Sequence, residues 1–291
     1  MMTRFGLGLL WLLHWLPFTM QVWLGNLLGN LLYWVALSRR RVAETNIRLC
    51  FPDLDTNAVT LIVRAHFRAI ARAAVEHGLL WWGSAQRISQ LVAVEGREHY
   101  DAVASGPVIL LSPHFVGLDM GAIRLTIDYP PAVSIYSRLR NPVIDRLMLH
   151  ARSRFSKTIL VSRHDGVRPL LKAMKQGYHL FYLPDQDFGA RDARFVPFFG
   201  LPAATITALP RLAAMTGARI VPVVTRQLAG SKGYVVRFFP AWDNFPGADL
   251  AADLLRMNAF IESQVREMPE QYFWVHKRFK TRPPGEPSYY A

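Results

Sequence analysis

Six short apolar runs, alternating with stretches of helical period, constrain this chain more than any other feature. They are "PVILLS" (107–112), "AVSIY" (132–136), "TILVS" (158–162), "YHLFYLP" (178–184), "RIVPVVT" (219–225) and "YVVRFFP" (234–240). Each is the length of one strand and too short for an ordinary helix. Segments 117–126, 142–155, 166–176, 204–216 and 249–267 repeat their apolar residues at helical spacing. Strands alternating with helices of this length predict an α/β fold: a mixed, mostly parallel sheet flanked by helices on both faces. The last helix is the clearest, because "GADLAADLLRMNAFIESQVREMP" combines an acidic first turn with an apolar stripe. Residues 55–82 carry the same period ahead of the first strand. No linker or internal repeat divides residues 39–291, which are expected to form one domain with a turn-rich surface tail from Pro283.

Residues 1–38 have a different composition. From Phe5 to Ser38 there is no Asp, Glu, Lys or Arg. A membrane span needs roughly 20 apolar residues, so the segment predicts an N-terminal membrane anchor. Pro17 divides it into an interfacial helix over 5–16 and a span over 18–37, with a wholly in-plane anchor as the alternative. A cleaved signal peptide fits poorly, since no small-residue cleavage site precedes "SRRR". Arg39, Arg40 and Arg41 follow the span and only Arg4 precedes it, so the positive-inside rule predicts a cytoplasmic body. The 34 basic and 21 acidic residues leave a net charge of +13. That charge, with eight Trp and 17 Phe, predicts an anionic membrane surface as partner rather than nucleic acid. The single Cys50 excludes an internal disulfide.

"SPHFVGLDMG" (112–121) follows the first strand directly. In open α/β sheets ligands gather outside the carboxyl ends of the strands, and His114 stands at such an end. Five residues on an unbroken helix would separate His114 from Asp119. A loop followed by a helix starting near Gly117 puts Asp119 in a first turn, where the helix dipole favours a carboxylate. There it could reach back, fix the imidazole tautomer and leave the other ring nitrogen as a base. A helix-capping Asp beside an incidental His is the plainer alternative on spacing alone.

The H-x4-D arrangement of "HFVGLD" resembles the glycerolipid-type acyltransferases. Further blocks are similar, in family order, to the late lipid A acyltransferases that add lauroyl or myristoyl chains. These are "RRRVAETNIRLCFPDL" (39–54), "YSRLRNPVIDRLM" (136–148), "SRHDGVRPLLKAMKQG" (162–177), "YLPDQDFGARDARFVPFFGLPAAT" (182–205) and "PEQYFWVHKRFKTRPPGEPS" (269–288). The acid here is Asp119, where many members of the branch carry Glu. The resemblance implies a glycerolipid-acyltransferase-like fold and a bacterial inner-membrane location. It also implies acyl transfer from an acyl carrier protein thioester to a hydroxyl of a Kdo-bearing lipid A precursor, with no cofactor. His114 would then be the general base and Asp119 its orienting acid. The resemblance places Arg163, Asp185, Asp187 and Gly189 on the substrate side of the site. A strand-end Arg163 paired with Asp165 is the alternative for that residue.

Other readings stay open at this point. Asp185-Gln186-Asp187 after a strand has the spacing of a divalent-metal motif in sugar-nucleotide transferases, so a metal-dependent glycosyltransferase is the second enzyme class. Thioester chemistry needs no metal, and the acyltransferase reading assigns none. A non-enzymatic basic protein of membrane surfaces is the third. His66, His77, His99, His150, His164, His179 and His276 have no acid at a matching spacing and are expected on the surface or in packing, although His276 falls in a block of the resemblance.

Overall fold

A computed structural model of the chain describes residues 2–129 and 131–290. All six expected strands form: β2 (Val108–Leu111), β3 (Ala132–Tyr136), β4 (Ile159–Ser162), β5 (His179–Tyr182), β8 (Arg219–Gln227) and β9 (Tyr234–Phe238). A seventh, β1 (Val92–Glu95), completes a sheet of order β1-β9-β8-β2-β5-β3-β4. Five of these strands run parallel; β9 is antiparallel to β8, and β1 lies parallel to β9. The expected mixed, mostly parallel sheet is therefore present.

Alternation along β2 shows why both faces are covered. Ile109 and Leu111 pack into one core, and Val108 and Leu110 into the other, because successive strand side chains point to opposite faces. The first core lies under α9 (Arg168–Lys175), α10 (Ala208–Thr216) and α11 (Leu250–Glu267). The second lies under α7 (Leu118–Asp128) and part of α4 (Thr56–Trp82). The buried Glu76 and Arg72 of α4 pair with each other, and the Tyr234 hydroxyl donates to Glu76, which ties α4 to β9.

Residues 193–206 depart from expectation. They form an antiparallel hairpin, β6 (Ala193–Phe198) and β7 (Leu201–Ile206), turned through Phe199 and Gly200. Both turn residues have positive φ, 50° and 76°, as a two-residue hairpin loop matching strand twist requires. The helix expected over 204–216 consequently starts only at Ala208, since 204–206 pair with β6.

The N-terminal segment also requires correction. It forms α1 (Met2–Leu13) and α2 (Phe18–Val35), broken at Pro17, and a third helix α3 (Leu37–Cys50) follows. No helix of the described residues is long and apolar enough to cross a membrane, so the expected span over 18–37 is not supported. At 1.5 Å per residue α2 reaches about 27 Å, and it carries Gln21, Asn26 and Asn30. Its Gly25 and Gly29 lie directly on α4: a Cβ at these positions would stand 2.6 Å from the Arg72 Cα and 2.4 Å from the Arg68 Cα. One face of α2 thus belongs to the folded domain. The arginine run beyond it is engaged as well. Arg40 pairs with Glu44 and covers the Tyr33 ring, and Arg39 donates to the Val275 carbonyl. Without a span, the positive-inside rule assigns no side to the domain.

This packing predicts that Gly29→Leu destabilises the protein by about 1–3 kcal/mol, the range for overpacking. Gly6→Leu, where a Cβ meets nothing within 4 Å, should stay within about 0.5 kcal/mol of wild type. Thermal melts of the two variants test this.

Candidate active site

The sheet switches direction at β2, which has β5 on one side and β8 on the other. The loops leaving β2 and β5 therefore emerge side by side at the carboxyl edge, where ligands of open α/β sheets bind. The first carries His114 and the second Asp185. The His114 Nδ1 lies 2.7 Å from an Asp185 Oδ, and the His114 main-chain N–H donates to the same carboxylate at 3.0 and 3.2 Å. The Asp185 side chain is 1% exposed and that of His114 21%. Burial alone would raise the Asp185 carboxyl; the charge and hydrogen bonds of His114, with the Tyr272 hydroxyl, reverse this and hold it below its ordinary value. An ionised carboxylate only accepts, so Nδ1 carries a proton in either state of the ring, and in the neutral imidazole Nε2 carries the lone pair.

The His114 loop is braced from the far end of the chain. The Phe273 N–H donates to the His114 carbonyl at 3.0 Å, and the Val116 N–H donates to the Gln271 carbonyl at 2.9 Å. Asn46 of α3 donates to the carbonyls of Trp274 and His276 at 2.7 and 2.8 Å. The blocks around 39–54 and 269–288, distant in sequence, thus form one bracket around the histidine loop.

Asp119 lies in the first turn of α7, as its spacing predicts, but its partners are others. One oxygen accepts from Arg152 at 2.9 Å, and the other lies 3.6 Å from the His77 Nε2. Arg152 ends α8 (Pro142–Arg152), and His77 belongs to α4. The carboxylate that meets the His114 ring is Asp185, 71 residues away. Burial would raise the Asp119 carboxyl, but Arg152 and His77 hold it far below its ordinary range. The remaining expected site residues divide. Arg163 lines the cavity described below and is exposed. Its alternative partner, Asp165, instead accepts from the Ser162 N–H. Asp187 accepts from Thr281 N, Thr281 Oγ1 and the N–H of Gly189, whose φ is 103°. The two acids of Asp185-Gln186-Asp187 therefore serve different protein donors. Among the described residues, no three His, Cys, Asp or Glu are grouped to hold a metal.

Two histidines expected in packing or on the surface stand at this site. The His276 Nε2 accepts from the Asp187 N–H at 2.9 Å; burial and the charges of His114 and Arg278 push it down to about 4, so it is neutral. The His77 Nδ1 lies 2.6 Å from the Ala73 carbonyl, which only accepts, so Nδ1 is protonated while Nε2 faces Asp119. Neither His77 nor Arg152 had a sequence signal, because their link to Asp119 crosses three helices.

A cavity of about 1410 Å³ opens at His114 and is lined also by Asp119, Arg152, Arg163, Arg191 and Arg211. It exceeds the roughly 300–1,000 Å³ of ordinary small-ligand pockets. Its mouth is basic. Its interior follows one face of the sheet through Ser134, Leu160 and Phe181.

His77 gives the site a pH signature. Burial would lower its pKa, but Asp119 and the Ala73 carbonyl outweigh burial and raise it. A raised folded-state pKa contributes stability that is fully present below the unfolded value of about 6.5. That contribution is lost as pH rises through the raised value. His77→Gln should therefore lower the melting temperature more at acidic than at alkaline pH. Equal losses at both would remove the ion pair from the account.

Known proteins resemble this chain along nearly its whole length. The family model of bacterial lipid A biosynthesis acyltransferases matches residues 1–281. The lipid A biosynthesis lauroyltransferase of Escherichia coli K12 is 35% identical, with 99% of this chain and 94% of that protein aligned. The palmitoleoyltransferase of the same organism is 30% identical over the same shares. Its myristoyltransferase is 32% identical over 90% of this chain and 80% of its own length. With the dyad at the switch point and a match along nearly its whole length, the chain belongs to the bacterial lipid A biosynthesis acyltransferases and is an acyltransferase enzyme.

Proposed function

We propose that this enzyme moves a fatty acyl chain from an acyl carrier protein thioester to a hydroxyl of a Kdo-bearing lipid A precursor. The observation that carries the reading is the His114–Asp185 pair at the mouth of a long apolar cavity. The His114 Nε2 takes the proton of the acceptor hydroxyl as its oxygen attacks the thioester carbonyl. The new C–O bond forms, the C–S bond breaks, and His114 returns the proton to the departing thiolate. Asp185 holds the tautomer and stabilises the imidazolium. Asp119 acts at one remove by fixing Arg152, which with Arg163 offers donors to the oxyanion or to acceptor phosphates. The exposed Arg191 and Arg211 extend the basic rim, which suits an acidic carrier protein and a phosphorylated acceptor. Asp187 and Gly189 shape the loop between rim and C-terminal bracket.

The membrane reading follows α1 and α2. The face of α2 opposite Gly25 and Gly29 exposes Trp23, Leu27, Leu31 and Trp34; α1 adds Phe5 and Leu12, and the turn after it adds Trp15. A helix pair with one face on protein and the other apolar and Trp-rich suits seating in the plane of a bilayer surface. The basic body favours anionic lipid. We place it on the cytoplasmic face of the bacterial inner membrane, where a carrier-protein donor would be met.

His114→Ala should lower acyl transfer by at least ~10², the low end for a lost general base. Asp185→Asn should fall further than Asp119→Asn, and the reverse order would return the orienting role to Asp119. The mass of lipid A from cells with and without the enzyme, differing by one acyl chain, tests the overall reaction. Joint replacement of Trp23, Leu27 and Trp34 by Ser should release the protein from anionic vesicles. High salt alone should leave wild type bound, because apolar contact is not screened.

A further inference from the structure

The cavity has a second end. On β3 its lining residues include Ala132, Ser134 and Tyr136, and on β5 His179, Phe181 and Leu183. Ile135, Tyr182, Leu170 and Leu212 line it too, near the carboxyl edge, but the alternate residues Ala132, Ser134, His179 and Phe181 carry one arm of it along a single face of the sheet towards the amino ends of the strands. Helices α7 and α8 form the opposite wall through Ile123, Thr126, Met148 and Leu149. The space is therefore a channel between sheet and helices, with the dyad at one end.

Four rings meet at the other end. Tyr100, Tyr129 and Phe238 pack with centroids 5.2, 5.3 and 5.5 Å apart, and His179 lies 5.5 Å from Tyr100. All four line the cavity. The Tyr100 hydroxyl and His179 Nδ1 are 2.6 Å apart, and His179 also bonds the Gly106 carbonyl. Both polar groups are thus paired within the protein, as a buried apolar end requires. Tyr129 is held from outside by the Arg97 guanidinium, 5.2 Å from its ring. The group presents ring faces to the cavity, with the Tyr100 and His179 polar atoms turned to each other.

We propose that Tyr100, Tyr129, Phe238 and His179 are the floor of an acyl-chain channel and set the length of the chain this enzyme transfers. The proposal rests on the acyl-transfer reading at His114. Helix α7 measures the depth: Asp119 lies in its first turn and Tyr129 just past its end. Ten residues at 1.5 Å each put the floor about 15 Å from the charged end. An extended backbone covers about 3.6 Å in three bonds, or about 1.2 Å per bond, so about 15 Å holds a straight chain of about a dozen carbons. Discrimination of one methylene in an apolar pocket runs to about 10–200-fold, so a fixed floor can select among chains.

The test uses the full-length enzyme, its lipid A precursor and carrier-protein thioesters of a series of even-numbered saturated chains. Wild type should prefer a chain near twelve carbons, by the same depth of about 15 Å. Tyr129→Ala, which opens the floor at a half-buried position, should raise kcat/KM for the next longer donor by at least about tenfold relative to the preferred one. Ser134→Leu, which fills the middle of the channel, should shift preference to shorter chains and serves if the first variant fails to fold. Unchanged selectivity in a variant that still transfers acyl groups overturns the floor while leaving the acyltransferase reading intact. Failure of wild type to transfer any chain overturns both.

Discussion

The Asp185 carboxylate is the contact on which the site depends. It is buried, and an ionised carboxylate in such a place is tolerated only when donors surround it. His114 supplies a main-chain N–H and a ring nitrogen, and Tyr272 a hydroxyl. One acid thereby fixes a loop, a tautomer and the position of the C-terminal segment around Tyr272. That is possible because β2 and β5 are neighbours although two strands and their helices intervene in the chain. The parallel sheet turns a separation of 71 residues into a hydrogen bond.

The two faces of the sheet serve different ends. Beneath α11 the side chains close into continuous core, while Leu170 of α9 and Leu212 of α10 reach both core and cavity. Beneath α7 and α8 they leave room. Gly121 keeps α7 close to β8, since a Cβ there would lie 1.9 Å from the Thr225 Oγ1. At that contact α7 is seated, and farther along the helix the wall stands away from Ser134 and Phe181. Charge follows the same division: the rim holds Arg152 and Arg163, and the interior is aromatic and aliphatic.

Much of this fold was legible in the sequence, because buried parallel strands are near-continuous apolar runs and all six such runs became strands. The β6–β7 hairpin was hidden because "LPAAT" contains Ala, which reads as the approach to a helix. Position His114 was legible as a histidine at a strand end. The identity of its partner was not. Asp119 sits at a chemically sensible spacing, and only the strand order reveals that Asp185 arrives at the ring first. The uncharged N-terminus was over-read for a related reason. Counting apolar residues cannot show that Gly25 and Gly29 dock one face on α4, which turns a candidate span into a helix with a protein side and an outer side.

The bracket around the histidine loop carries a consequence in time. Strands β2 and β5 can pair as soon as residue 182 has been made, so the sheet's centre can assemble on a growing chain. The His114 carbonyl and the Val116 N–H find their partners only when residues 271–273 exist, and Asp187 waits for Thr281. The same late segment closes the core, since Trp274 and Phe279 pack with Ile109, Leu111 and Leu180, so the histidine loop and the core beneath it are completed by one stretch of chain.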